Sequence, residues 1–126
     1  MIYNVAGEIY GFDKTFDVEL NEIDELFATI KDIKNKNISF TLVNPYLLRE
    51  YSFDLPSNIK ILLDINEKSN LLVYNIVVVQ DPLDESKINF LAPLIFNKDN
   101  NKMAQVILKP EMHADFGMAE SIKSFK

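Results

Sequence analysis

Residues Asn89-Phe90-Leu91-Ala92-Pro93-Leu94-Ile95-Phe96-Asn97 and Gln105-Val106-Ile107-Leu108 flank a polar run, Lys98-Asp99-Asn100-Asn101-Lys102. The pattern reads as two apolar strands joined by a polar hairpin loop. One strand runs from Asn89 to Asn97 and the other ends at Leu108. The loop contains no glycine, so Asn and Asp must supply its turn geometry. Only 3 glycines occur in the whole chain, which extends the same demand to most other turns.

Similar strand signals recur before this pair. Ile2 to Tyr10 alternates loosely and stops at Gly11. Thr15 to Leu20 places Phe16, Val18 and Leu20 on one face and Thr15, Asp17 and Glu19 on the other, the period of a half-buried strand. Leu26 to Ile33 suits either period, and the alternation Leu26, Ala28, Ile30, Asp32 favours a strand. A turn at Asn35-Lys36-Asn37 leads into Ile38 to Val43, which alternates and ends at Asn44-Pro45 because proline cannot donate to a ladder. Tyr51, Phe53 and Leu55 alternate over a short extended piece stopped by Pro56.

Ser57 is positioned as an N-cap, and Ile59, Leu62 and Leu63 mark one face of a short helix. Leu71 to Gln80 is the strongest strand, nearly continuous at Ile76 to Val79 and broken by Asn75; such a run is buried on both faces or closes a barrel. Asp81-Pro82 ends it. From Gly117 onward, Met118, Ala119, Ile122 and Phe125 have helical spacing over a segment that must dock or fray. About seven short strands with one brief helix point to an all-β, mainly antiparallel domain, either a sandwich or a small closed barrel.

The 126 residues suit one domain, 1–126, able to bury about two-thirds of its unfolded surface without disulfides or metals. Cysteine is absent, which fits a reducing compartment. No basic and apolar leader follows Met1, and the run from Leu71 to Val79 is far shorter than a membrane span, so the expectation is a soluble, cytoplasmic protein. The net charge of −6 and a pI near 4.7 disfavour direct nucleic-acid binding and favour basic protein partners.

Enzymatic signals are missing. There is no Gly-rich phosphate loop, no thiol and no Gly-x-Ser-x-Gly elbow. His113 is the single histidine; on a strand it would share a face with Glu111 and Asp115, but metal catalysis usually takes two or three histidines. Acidic pairs such as Asp13 with Asp17, or Asp81 with Asp84 and Glu85, read as solvated surface. No cofactor is expected.

Asn44, Asn89 and Asn97 each end an apolar run. The plain reading is that their amides satisfy stray backbone groups. The functional reading joins Asn44, Pro45 and Tyr46 with Asp54, Asn89, Pro93 and Asn97 into one rim for a partner, with Tyr46, Tyr51 and Phe53 as aromatic anchors.

Four motifs stand in a telling order. They are Gly7-Glu8-Ile9-Tyr10-Gly11-Phe12-Asp13, Phe40 to Tyr46, Tyr51 to Leu55, and the Asn89–Asn97 and Gln105–Leu108 pair. Together they resemble the FliW family of bacterial flagellar assembly factors over residues 7–108. Tyr10 stands where that family often has proline, Met103-Ala104 replace its Gly- or Lys-rich turn, and the likeness fades after Leu108, leaving 110–126 as a tail outside it. The resemblance implies a compact β-barrel, monomeric on its own, that binds the translational repressor CsrA and frees flagellin messenger RNA. It also implies competition by flagellin for the same factor. The alternatives are a flagellin-specific chaperone without CsrA antagonism, and a small-ligand-binding barrel.

Overall fold

The computed structural model describes residues 1–7, 9 and 17–125. The opening motif therefore lies outside the described residues except for Gly7 and Ile9, as do Thr15 and Phe16 of the second expected strand. The described residues form β1 (Ile2–Val5), β2 (Asp17–Glu22), β3 (Phe27–Asp32), β4 (Ser39–Val43), α1 (Ser57–Leu62), β5 (Leu71–Val78), β6 (Lys87–Ile88), β7 (Leu94–Asn97), β8 (Lys102–Gln105) and β9 (Glu120–Ser121). Short 3-10 turns at Pro45–Leu47, Leu83–Glu85, Pro110–Met112 and Ile122–Phe125 complete them.

Seven strands, in the order β1-β2-β3-β4-β5-β7-β8, close into a barrel. The seam is a parallel pairing of β8 with β1, Asn4 opposite Lys102 and Val5 opposite Met103. All other pairings are antiparallel. The expected small closed barrel with one short helix is what forms, and closure removes the exposed edges that an open sheet would present.

Period-2 alternation fills the barrel. Tyr3 and Val5, Val18 and Leu20, and Ala28 and Ile30 point inward with Leu42, Tyr74, Leu94, Phe96 and Met103. Phe96 is central, meeting the Tyr3 ring edge-on at 5.0 Å and the Tyr74 ring at 6.0 Å. Burial on both faces falls most fully on β7. Leu94 and Phe96 face the interior, whereas Ile95 faces outward and packs with Ile59 and Leu63 of the helix. The helix differs from expectation in two details. Pro56 is the cap and Ser57 the first helical residue, with no side-chain cap bond. Ile59 and Leu63, four apart, form the buried face, which leaves Leu62 rotated outward and 44% exposed.

The strand expected over Asn89–Asn97 is divided. Ile88 pairs with Val77 and Leu94 with Tyr74, so the five residues 89–93 face only Asn75 and Ile76 of β5. The three surplus residues make a wide bulge, and Pro93 helps to impose it because it has no N–H for the ladder. The Pro93 and Leu91 carbonyls instead accept from Val106 and Leu108 at 2.9 and 2.8 Å.

The segment after Gly117 docks, but not as an α-helix. Glu120 and Ser121 pair with Ile88 and Lys87, and a 3-10 turn follows. Ile122 and Phe125 then pack against Val43, Tyr51, Val77, Ile88 and Phe90. Ladder pairing with β6 satisfies backbone groups that so short a helix would leave open. Turn chemistry follows the scarcity of glycine: Asp64 (φ 53°) and Asn101 (φ 58°) hold left-handed positions that glycine usually takes. Among the described residues no helix is long and apolar enough to cross a membrane.

Candidate protein-binding site

At the end of β4, the Asn44 N–H donates to the Leu26 carbonyl at 2.7 Å, and its side-chain oxygen accepts from the Tyr46 N–H at 3.0 Å. Pro45 follows, buried, with the φ that a 3-10 turn requires. This rigid turn leaves the next two side chains, Tyr46 and Leu47, 52% and 53% exposed. Two adjacent large apolar groups held outward on a fixed backbone suit a contact surface, because little freedom remains to be lost on binding.

Tyr46 borders a cleft of about 280 Å³ whose other walls are Tyr51, Phe53, Leu55, Leu71, Val73 and Ile95, with Ser52 at its edge. The aromatic rings meet edge to face, Tyr46 on Tyr51 at 6.1 Å and Tyr51 on Phe53 at 5.5 Å. Partial burial pushes the Tyr46 phenol above its ordinary pKa, so it is a neutral hydrogen-bonding group at physiological pH.

Tyr51 forms the cleft floor. Its hydroxyl donates to the Phe90 carbonyl at 2.6 Å and accepts from Asn75 Nδ2 at 3.2 Å. The same amide also donates to the Asn89 carbonyl at 3.0 Å. Asn75 thus supplies to the bulge the hydrogen bonds that the interrupted β-ladder cannot. Burial raises the Tyr51 pKa strongly, and the phenol stays protonated as a donor.

The structure distributes the seven residues singled out in the sequence over separate places. Tyr46 lines the cleft, with Asn44 and Pro45 before it in the same turn, and Asp54 is exposed on the extended segment between the cleft residues Phe53 and Leu55. Asn89 lines a different hollow of about 290 Å³, with Phe40, Ile76, Val78, Ala92 and Met118. Pro93 is buried in the bulge. Asn97 is 1% exposed; its Nδ2 donates to the Leu63 carbonyl at 2.9 Å and its Oδ1 accepts from the Asp99 N–H at 3.0 Å. All three asparagines use Oδ1 to cap a backbone N–H two residues on.

Leu47 and Arg49 escaped the sequence reading. The one available signal for Arg49 was that it is the chain's single arginine. Its guanidinium lies 5.1 Å from the Phe90 ring centre, 4.9 Å from that of Phe116 and 5.5 Å from that of Phe125. His113 stacks on Phe116 at 5.2 Å with the rings 5° from parallel. Residues 110–112 form a 3-10 turn, so Glu111, His113 and Asp115 do not share a strand face. Among the described residues no three His, Cys, Asp or Glu side chains gather into a metal-sized group.

The family model described as "FliW protein" matches residues 1–120. Two proteins of Wolinella succinogenes, flagellar assembly factors FliW 1 and FliW 2, are 50% and 46% identical over 125 residues; the alignments cover 99% of this chain and 98% and 92% of theirs. The flagellar assembly factor FliW of Sulfurimonas denitrificans is 42% identical, over 99% of this chain and 98% of its own. In fold, the chain is similar to a crystal structure of the flagellar assembly factor FliW, with a TM-score of 0.86 at 24% identity over 96% of this chain and 84% of the other. With a family-model match over residues 1–120 and near-complete alignment to these relatives, this chain belongs to the FliW family.

Proposed function

We propose that this chain is a flagellar assembly factor that works by holding proteins: a CsrA-type translational repressor, whose grip on flagellin messenger RNA it relieves, and flagellin itself. The observation that carries this reading is the Tyr46–Leu47 pair, exposed on a rigid turn at the lip of an apolar cleft. Aromatic anchors at such places supply a large share of interface energy. The net charge of −6 supports a basic partner such as an RNA-binding repressor, through faster encounter and fewer wrong pairings. The apolar lining of the cleft supports a segment of unassembled flagellin. That lining also favours a second reading, a flagellin-specific chaperone with no effect on the repressor.

Calorimetry of the purified chain against CsrA and, separately, flagellin from the same organism tests the proposal at two salt concentrations. The expected result is binding to both, with the CsrA affinity falling as salt rises. Binding to flagellin alone would leave the chaperone reading and end the regulatory one. Binding to neither would end both.

A further inference from the structure

The closing segment is bound to the barrel as a separate peptide would be. Its contacts are of four kinds. It pairs as a strand with β6, through Ser121 opposite Lys87 and Glu120 opposite Ile88, and the Ile122 N–H donates to the Ser86 carbonyl at 3.0 Å. It accepts from the Phe90 N–H through the Gly117 carbonyl at 2.9 Å. It offers the Glu120 carboxylate to Arg49 at 3.3 Å. It inserts Ile122 and Phe125 into the cluster formed by Tyr51, Ile88 and Phe90. Main-chain pairing for affinity with pockets for alternate side chains is how sheets capture extended peptides.

The receiving surface is held by the barrel itself. The Arg49 N–H donates to the Pro45 carbonyl at 3.1 Å, and Arg49 Nε donates to the Glu50 carbonyl at 3.3 Å. Tyr51 and Asn75 fix the position of Phe90 through the bulge. The chain just before the segment leaves a gap against this surface. A polar hollow of about 360 Å³ lies between Arg49, Glu50 and Ser52 on one side and Met112, His113 and Asp115 on the other. The outer tether, Lys123 to Glu85, is solvent-exposed and of a kind that contributes little.

We infer that residues 117–125 are an exchangeable plug, and that the surface beneath them is a binding site for an extended segment of a partner protein. The occupant's chemistry is read from the plug: an acidic residue for Arg49, a branched aliphatic two positions later, an aromatic five positions later, and a glycine three positions before the acid. The glycine is favoured because a Cβ at Gly117 would lie 2.7 Å from Glu120 Cγ and displace the Glu120 side chain, which folds back to accept from the Gly117 N–H. Arg49 selects for the carboxylate, since a neutral residue would leave a largely buried guanidinium without its counter-charge. This site does not depend on which proteins meet Tyr46.

The test uses the full chain and a fluorescein-labelled peptide of residues 115–125 as the probe, read by anisotropy. In the native chain the attached segment competes at high effective concentration and binding is weak. In the variant Glu120→Ala/Phe125→Ala, which alters only the plug, probe affinity should rise at least about tenfold. The same probe carrying Glu120→Ala should bind that variant at least about fivefold more weakly, the loss of one charge-assisted contact. The chain with Lys87→Cys and Ser121→Cys should bind the probe only when reduced, because these two residues face each other across the ladder. Near-ultraviolet circular dichroism reports that the barrel of each variant is intact. Failure of the loosened, folded variant to bind more tightly would overturn the proposal, as would equal binding by oxidised and reduced chains. Dimers that form in the loosened variant and not in the native chain would assign the site to a second copy and overturn the partner assignment.

Discussion

Asn75 Nδ2 lies 3.2 Å from the hydroxyl oxygen of Tyr51, joining the middle of the longest strand to the extended segment that floors the cleft. Asn75 is fully buried, and its Oδ1 has no hydrogen-bond partner among the described residues. Its value to the fold therefore rests on the two bonds its amide donates, to Tyr51 and to the Asn89 carbonyl. Asn75→Ala should cost about 2–3 kcal/mol in urea unfolding, reduced by removal of the unpartnered oxygen. Tyr51→Phe should cost about 1–2 kcal/mol, and the double variant should cost less than the sum of the two.

Asn97→Ala should also act on stability. The substitution leaves the Asp99 N–H without its side-chain acceptor and removes one of two amide donors to the Leu63 carbonyl, which keeps Asn100 Nδ2 at 2.8 Å. A loss of about 1–2 kcal/mol is expected, with partner affinity per folded molecule unchanged. A tenfold loss of affinity at unchanged stability would return Asn97 to the binding surface.

Tyr46→Ala should do the reverse. The ring is half exposed on a turn held by Asn44 and Pro45, so its removal should leave the unfolding midpoint nearly unchanged. Partner affinity should fall about tenfold or more, the range of an aromatic anchor. Calorimetry beside urea unfolding separates the two effects.

Arg49→Lys preserves the charge and discards the plane. Three phenylalanine rings surround the guanidinium, and its Nη1 also donates to the Asp115 carbonyl at 3.1 Å. A lysine cannot reproduce that stacking, and a cost of about 1 kcal/mol is expected. Hydrogen exchange should localise the effect, with the Ile122 and Phe90 amides losing protection before those of β2 and β3.

Asp99 gives a pH signature. Its carboxylate accepts from the Asn70 side chain at 2.9 Å and from the Asn70 N–H at 3.0 Å, and these bonds lower its pKa from the ordinary value of 3.8. A depressed folded-state pKa means that the ionised form supports the fold. That support is complete above the ordinary value and is lost as pH falls through the depressed one. Asp99→Asn should therefore lower the urea midpoint at pH 7, and the gap to the parent chain should shrink below pH 4.

Strands were legible wherever one face meets water. In β2 and β3 the alternation of Val18 with Glu19 and of Ile30 with Lys31 is written in residue type, because polar side chains sit outside and apolar ones inside. The same rule misled where a second layer covers the barrel. Asn89 to Asn97 is uniformly apolar between its ends because β7 is covered on both faces, and nothing in that run marks where the ladder breaks. The plug was misread for a related reason. Ile122 and Phe125 have helical spacing, yet β6, the strand that pairs with this segment, is remote in sequence and no local pattern announces it.

The sequence by itself determined the class of fold and the sites of the turns, since these follow from local pattern and proline. The tertiary structure alone decided that Tyr46 meets a cleft, that Asn97 is sealed inside, and that the single arginine is clasped by rings from residues 90, 116 and 125. Those relations join residues far apart in the chain. They depend on barrel closure and on the three-residue surplus in one strand, which no local pattern encodes.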